Sequence, residues 1–152
     1  MNPENKDPVK NPAHYTQGQY ECWDAMEDCL SKALVMSFSL GCVFKYIWRE
    51  DLKNSSVKDI EKAIAYLEKY AELAEIDVDG YRLISLRYAQ LYPYFKSNKS
   101  ESSVKDYFLI RAFDCLIQFY HDQDVEYLRN EMFIECLANL NAWIIIQNEG
   151  DI

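Results

Sequence analysis

Residues 56–75, SVKDIEKAIAYLEKYAELAE, decide the fold. Ile60, Ala63, Ile64, Leu67, Tyr70, Ala71 and Ala74 recur at steps of three and four, which puts them on one face of a helix. A half-buried strand would need alternation every second residue, and none occurs here. Asn54 and Ser55 break the preceding segment. Ser56, followed by Asp59 three residues on, resembles a capping box with Asp in place of Glu. The run Ile76-Asp-Val-Asp-Gly80 closes the helix.

The segments on either side carry the same period. On the N-terminal side, Met36–Leu52 is strongly apolar as far as Trp48 and then turns charged. Glu21–Leu34 carries Cys22, Met26, Cys29, Leu30 and Ala33 on one stripe. Residues 1–20 hold three of the four prolines and read as an extended arm. On the C-terminal side, Tyr81–Phe95 reads as a helix that Pro93 kinks or ends. A polar loop over Lys96–Ser102 precedes a helix from Ser103, with Asp106 repeating the capping signal, to about Tyr120. His121-Asp-Gln-Asp124 turns into a last helix ending near Gln147, and Glu149–Ile152 is expected to fray. The expectation is an all-α fold, a compact bundle of about six helices with an extended N-terminal arm. Its parts are the arm (1–20), a first helical region (21–76) and a second (77–152) packed on it. Tyr107, Phe108, Ile110, Phe113 and Ile117 form one stripe of that second region, and Phe133, Leu137, Leu140 and Ile144 another. Both read as core. Trp48 also reads as core, since aromatic stripes on helices usually are.

With 152 residues the chain is long enough to bury a core without a disulfide or a metal. Its net charge of −9 opposes counterion release from nucleic acid and docking on anionic membranes. No apolar run approaches the ~20 residues of a membrane span. Met1–Lys10 is polar and charged, so no signal peptide is expected. The five cysteines lack any C-x-x-C pair and several fall in apolar stripes, which suggests buried free thiols in a reducing cytoplasm.

Three blocks could carry chemistry: Pro12-Ala-His14-Tyr15, Gly41-Cys-Val-Phe-Lys45-Tyr46-Ile-Trp-Arg49, and Asp59-Ile-Glu-Lys62-Ala63-Ile-Ala-Tyr66-Leu67. Lys45 and Arg49 are four apart and project from one helix face. Gly41, a turn back, leaves room for a ligand or another backbone to come close. Lys62 on the next, antiparallel helix can join them. A guanidinium fork with ammonium point charges suits phosphate. Taken alone, the same residues read more readily as an ordinary salt-bridge network closed by Glu50, Asp59 or Glu61. His14 offers a proton near neutral pH or a plain packing role. Tyr46 and Trp48 offer faces for a base. No G-x-x-x-x-G-K-[ST] is present, nor a Cys/His cluster for zinc, so neither a P-loop nor a metal site is expected. Asp77-Val-Asp79-Gly80 lacks the later ligands of a calcium loop and reads as a turn.

In order and spacing the three blocks resemble the phage nucleotide-kinase family, also called SaV-like, over residues 11–73. The resemblance implies a phage-type nucleotide-binding protein that acts as a deoxynucleoside monophosphate kinase. A nucleoside triphosphate would be the phosphoryl donor, with Mg as an optional cofactor. It implies His14, Lys45 and Arg49 as catalytic residues and Tyr15, Gly41, Tyr46 and Lys62 as substrate-binding ones. It also implies a homo-oligomer in the host cytoplasm, for which the two apolar stripes of the second region would offer a subunit interface. This chain departs from the family pattern at Cys42, where Asn is usual, and at Glu50-Asp51-Leu52-Lys53, where a Gly-Lys-rich turn is usual. Both changes remove polar or positive groups. They motivate a second reading, a catalytically silent binder of a nucleotide or nucleotide signal. The acidity of the chain motivates a third, an inhibitor of a basic host protein.

Overall fold

The computed structural model describes residues 21–50, 56–96, 101–121 and 126–149, with side chains except at 94–96, 101–106 and 126–128. These residues form six helices and no strand: α1 (Cys22–Cys29), α2 (Lys32–Trp48), α3 (Ser56–Ala74), α4 (Tyr81–Lys96), α5 (Glu101–His121) and α6 (Glu126–Glu149). The expected all-α bundle of six helices is what the chain builds. The N-terminal arm and the acidic end at 150–152 lie outside the described residues.

Several boundaries differ from expectation. The first two helices part at Leu30–Ser31, not near Val35, because Ser31 caps α2 and its Oγ accepts from the Leu34 amide at 3.4 Å. Pro93 does not end α4, which runs on to Lys96. The α3 terminus is tied by the Ile76 amide donating to the Ala71 carbonyl at 2.9 Å, with Glu75 in the left-handed region at φ 57°. This six-to-one closure is the Schellman arrangement, and Ile76 buries itself behind it. The Asp77–Gly80 segment is a turn, as read: the Asp77 carboxylate accepts from the Asp79 amide at 2.9 Å, and Gly80 sits at φ 100°. A side chain at that φ would be strained, so glycine suits the entry to α4.

α6 is the centre of the bundle. It pairs most extensively with α5, then with α4, and also meets α3, while α2 lies along α3. Five consecutive residues of α6, Cys136 to Leu140, are buried, so every side of that helix faces protein. A helix apolar on all sides is stable only inside a core. The stripe Phe133, Leu137, Leu140 and Ile144 is buried as expected, and Cys136, Ala138, Asn139, Ala142 and Trp143 extend it round the helix. Asn139 is accommodated because its Nδ2 donates to the Glu135 carbonyl at 2.7 Å.

α2 and α5 each bury only one side. On α5, Phe108 is core, but Tyr107, Ile110 and Ile117 are exposed, so the expected stripe divides between inside and outside. On α2 the core takes Val35, Ser39, Cys42, Val43 and Ile47. Trp48 is 77% exposed, which overturns its reading as core. Gly41 also faces outward, and a Cβ added there would meet nothing within 4 Å. A mid-helix glycine costs roughly 1 kcal/mol relative to alanine, and no neighbour in the bundle requires one at this position.

Candidate functional site

The site forms where the C-terminal end of α2 meets the start of α3. Apolar positions on the inner sides of both helices, including Val43, Ile47, Ile60, Ala63, Ile64 and Leu67, hold the pair in register through one core. That packing places Arg49 opposite Asp59. Arg49 Nε and Nη2 donate to the two Asp59 oxygens at 2.8 and 3.0 Å, a bidentate fork. Lys62 Nζ stands 3.9 Å from the same carboxylate. Asp59 is only 2% exposed, and these cations offset the cost of its burial. The hydrogen bond from Arg49 to Asp59 pushes the guanidinium pKa up. Asp59 therefore serves Arg49 from the first turn of α3.

Tyr46 is the hub of the arrangement. Lys45 Nζ, Arg49 Cζ and Lys62 Nζ lie 4.7, 4.5 and 5.6 Å from its ring centroid, each within cation–π range. Tyr66 stacks against Tyr46 at 5.8 Å with 24° between the planes. Trp23 and Phe38 extend the cluster, 5.6 and 6.1 Å from Tyr66. The result is an aromatic shelf built from α1, α2 and α3 with three cations gathered at one end. Lys45 is exposed and lies 4.0 Å from the Cys42 sulfur, while Lys62 is part-exposed. Both ammonium groups can reach solvent.

Of the residues singled out in the sequence, Lys45, Tyr46, Arg49 and Lys62 come together as the spacing required. Gly41 is on the outer face of α2. His14 and Tyr15 lie outside the described residues. Of the three carboxylates weighed as neutralising partners, Asp59 pairs with Arg49 and stands near Lys62, and Glu50 is buried just beyond α2.

Sequence reasoning missed Lys69. It pairs with Glu27 of α1 at 2.6 Å and with Glu72 at 3.4 Å, and its Nζ lies 5.8 Å from the Trp23 ring centroid. It thus pins α1 and the Trp23 end of the shelf onto α3. No local pattern links residues 27 and 69, so only the fold brings them together. The five cysteines also split. Cys42, Cys115 and Cys136 are buried as expected, but Cys22 and Cys29 are exposed. Burial pushes the Cys115 and Cys136 thiols up, away from reactivity.

Among the described residues, no group of three His, Cys, Asp or Glu side chains could hold a metal ion. No described helix is long and apolar enough to cross a membrane.

Residues 9–68 match the model of a family described as proteins of unknown function, DUF3310. All three sequence blocks fall within that span, including His14, Gly41, Lys45, Arg49 and Lys62. No curated protein and no solved structure gives a match.

Proposed function

We propose that the end of α2 and the start of α3 bind the phosphate groups of a nucleotide. The observation that carries this reading is the convergence of Lys45, Arg49 and Lys62 on the Tyr46 ring. In a chain of net charge −9, three cations gathered within one helical seam are a local inversion of sign that favours an anionic guest. Lys45 and Lys62 supply mobile ammonium charges that reach solvent. Arg49 is held in a fixed orientation by Asp59, so it orders the seam and stiffens the wall of the site. The half-buried Tyr46–Tyr66 pair gives a flat apolar border beside which a base can rest.

Phosphoryl transfer to a nucleoside monophosphate is the finer form of this proposal and rests on the resemblance of the three blocks. In that reaction the cations would neutralise charge on the transferring phosphoryl group, with His14 and Tyr15 contributed by the chain's first twenty residues. A specific observation favours the silent-binder alternative: both Arg49 donors on its Asp59-facing side are already engaged, so the guanidinium must leave its partner before it can clamp a phosphoryl group.

Thermal shift and calorimetric titration across nucleoside mono-, di- and triphosphates, with inorganic phosphate and pyrophosphate as controls, test the binding. Saturable stabilisation that weakens at least tenfold in Lys45→Ala and Lys62→Ala supports it. If none of these ligands stabilises the protein at millimolar concentration, the proposal fails. Diphosphate formation from a monophosphate and triphosphate pair then separates kinase from silent binder.

A further inference from the structure

The outer side of the bundle carries two stripes, exposed except for the half-buried Phe113, that the candidate site does not use. On α2, Leu34, Ser37, Gly41, Phe44 and Trp48 follow one another at steps of three, four, three and four. On α5, Ile110, Phe113, Ile117 and Tyr120 repeat the same steps. This is the heptad spacing of a helix-packing seam, and here it faces out. The stripes join into one surface, since Phe113 lies edge-on to Phe44 at 4.7 Å and 6.4 Å from Trp48.

We infer that this α2/α5 face is where a second copy of the chain docks, with two α2 helices crossing antiparallel at Gly41. Gly41 supports this independently of exposure. The helix accepts a glycine where a Cβ would meet nothing in its own bundle, and close approach by another backbone is what a bare Cα permits. The stripe is also self-complementary about that point. A two-fold axis at Gly41 sets Leu34 against Trp48 of the partner subunit.

Size and charge agree. Leu34, Phe44, Trp48, Ile110 and Ile117 are 39–77% exposed. At ~200 Å² for a large side chain, they offer roughly 550 Å². With Ser37, Gly41 and Tyr120 the face approaches the ~800 Å² per partner of a standard interface. α2 contains no acidic residue, and on α5 Arg111 pairs with Asp114 at 3.0 Å. Two copies of an acidic protein can therefore meet here without setting unpaired carboxylates against one another.

Sedimentation velocity on the full chain over a range of concentrations tests this, with circular dichroism to check folding. A dimer is expected, and Trp48→Glu should shift it to monomer with helicity unchanged. Gly41→Ala is the sharper variant, because it relieves the helix while obstructing the crossing. Its dimer dissociation constant should rise at least tenfold, and the melting temperature of the dilute monomer should rise. Leu86→Lys, on exposed α4, should leave the dimer intact. A wild-type monomer at every concentration overturns the inference. So does a dimer indifferent to both Gly41→Ala and Trp48→Glu, which would be joined through another surface. The outcome is independent of nucleotide binding, which is read separately.

Discussion

Arg49 and Asp59 form a bidentate ion pair at 2.8 and 3.0 Å that joins the C-cap residue of α2 to the first turn of α3. Asp59 is almost wholly buried, so the pair acts as a latch whose two halves depend on each other. Arg49→Ala leaves a buried carboxylate with Lys62 alone, and chemical denaturation should show a loss of roughly 3–5 kcal/mol. Arg49→Lys removes the fork and should recover only part of it. Asp59→Asn should also destabilise, yet it frees the guanidinium. Affinity for pyrophosphate measured on that variant should rise, and a fall would mean the Asp59 charge itself organises the anion site.

Alkali should unfold the protein through its buried tyrosines. Burial, and then the hydrogen bond to Glu68 at 2.8 Å, push Tyr81 up to about 12, and burial with Glu135 raises Tyr88 as well. Both ordinarily ionise near 10. The folded state keeps the proton where the unfolded state has lost it, so stability is full below about pH 10 and falls as pH rises through about 12. Tyr81→Phe should flatten this alkaline limb. At neutral pH it should cost about 1–2 kcal/mol for the lost charged hydrogen bond. An alkaline limb unchanged in both Tyr81→Phe and Tyr88→Phe would rule the mechanism out.

Glu75 sits at φ 57°, a conformation that costs an ordinary residue about 1–2 kcal/mol. Its exposed ion pair with Lys32, at 3.9 Å, gives little back. Glu75→Gly should therefore stabilise the protein by roughly 0.5–1 kcal/mol, read as a rise in the denaturation midpoint at constant slope. Glu75→Val, β-branched at the same angle, should move it the other way.

The thiols should titrate in two classes. Cys22 and Cys29 should react quickly with a chromogenic disulfide in the native protein, and Cys42, Cys115 and Cys136 only on unfolding. Peptide mapping after brief alkylation checks which is which. Fast labelling of Cys136 would show that α6 opens far more readily than its burial implies.

The helices were legible wherever one face contrasts with the other. In α3, polar Lys58, Glu61 and Glu72 alternate with Ile60, Ile64 and Leu67, so period and direction could both be read. α2 lacks that contrast. It is apolar round most of its circumference, so the sequence gives its period but not which side faces in, and Trp48 was misplaced. The split at Leu30–Ser31 turns on a single capping hydroxyl inside a run that otherwise keeps its period. At the site, Lys45, Arg49 and Lys62 could be paired from spacing across a short antiparallel connection. That Asp59 would take Arg49 depends on the angle at which α2 and α3 cross. Lys69 and Glu27 are linked only through tertiary packing, which spacing does not encode.

Because α6 is enclosed by α3, α4 and α5, the order of synthesis matters. The ribosome makes all five other helices before the one that fills the space between α3, α4 and α5. At about 5–20 residues per second, the stretch from His121 to Glu149 takes on the order of seconds to emerge. During that interval the earlier helices have no common interior to close on, and their uncovered apolar sides are open to chaperones and to other nascent chains. A stop codon ahead of Glu126 would remove the centre of the bundle, and the remaining product should be cleared by proteolysis.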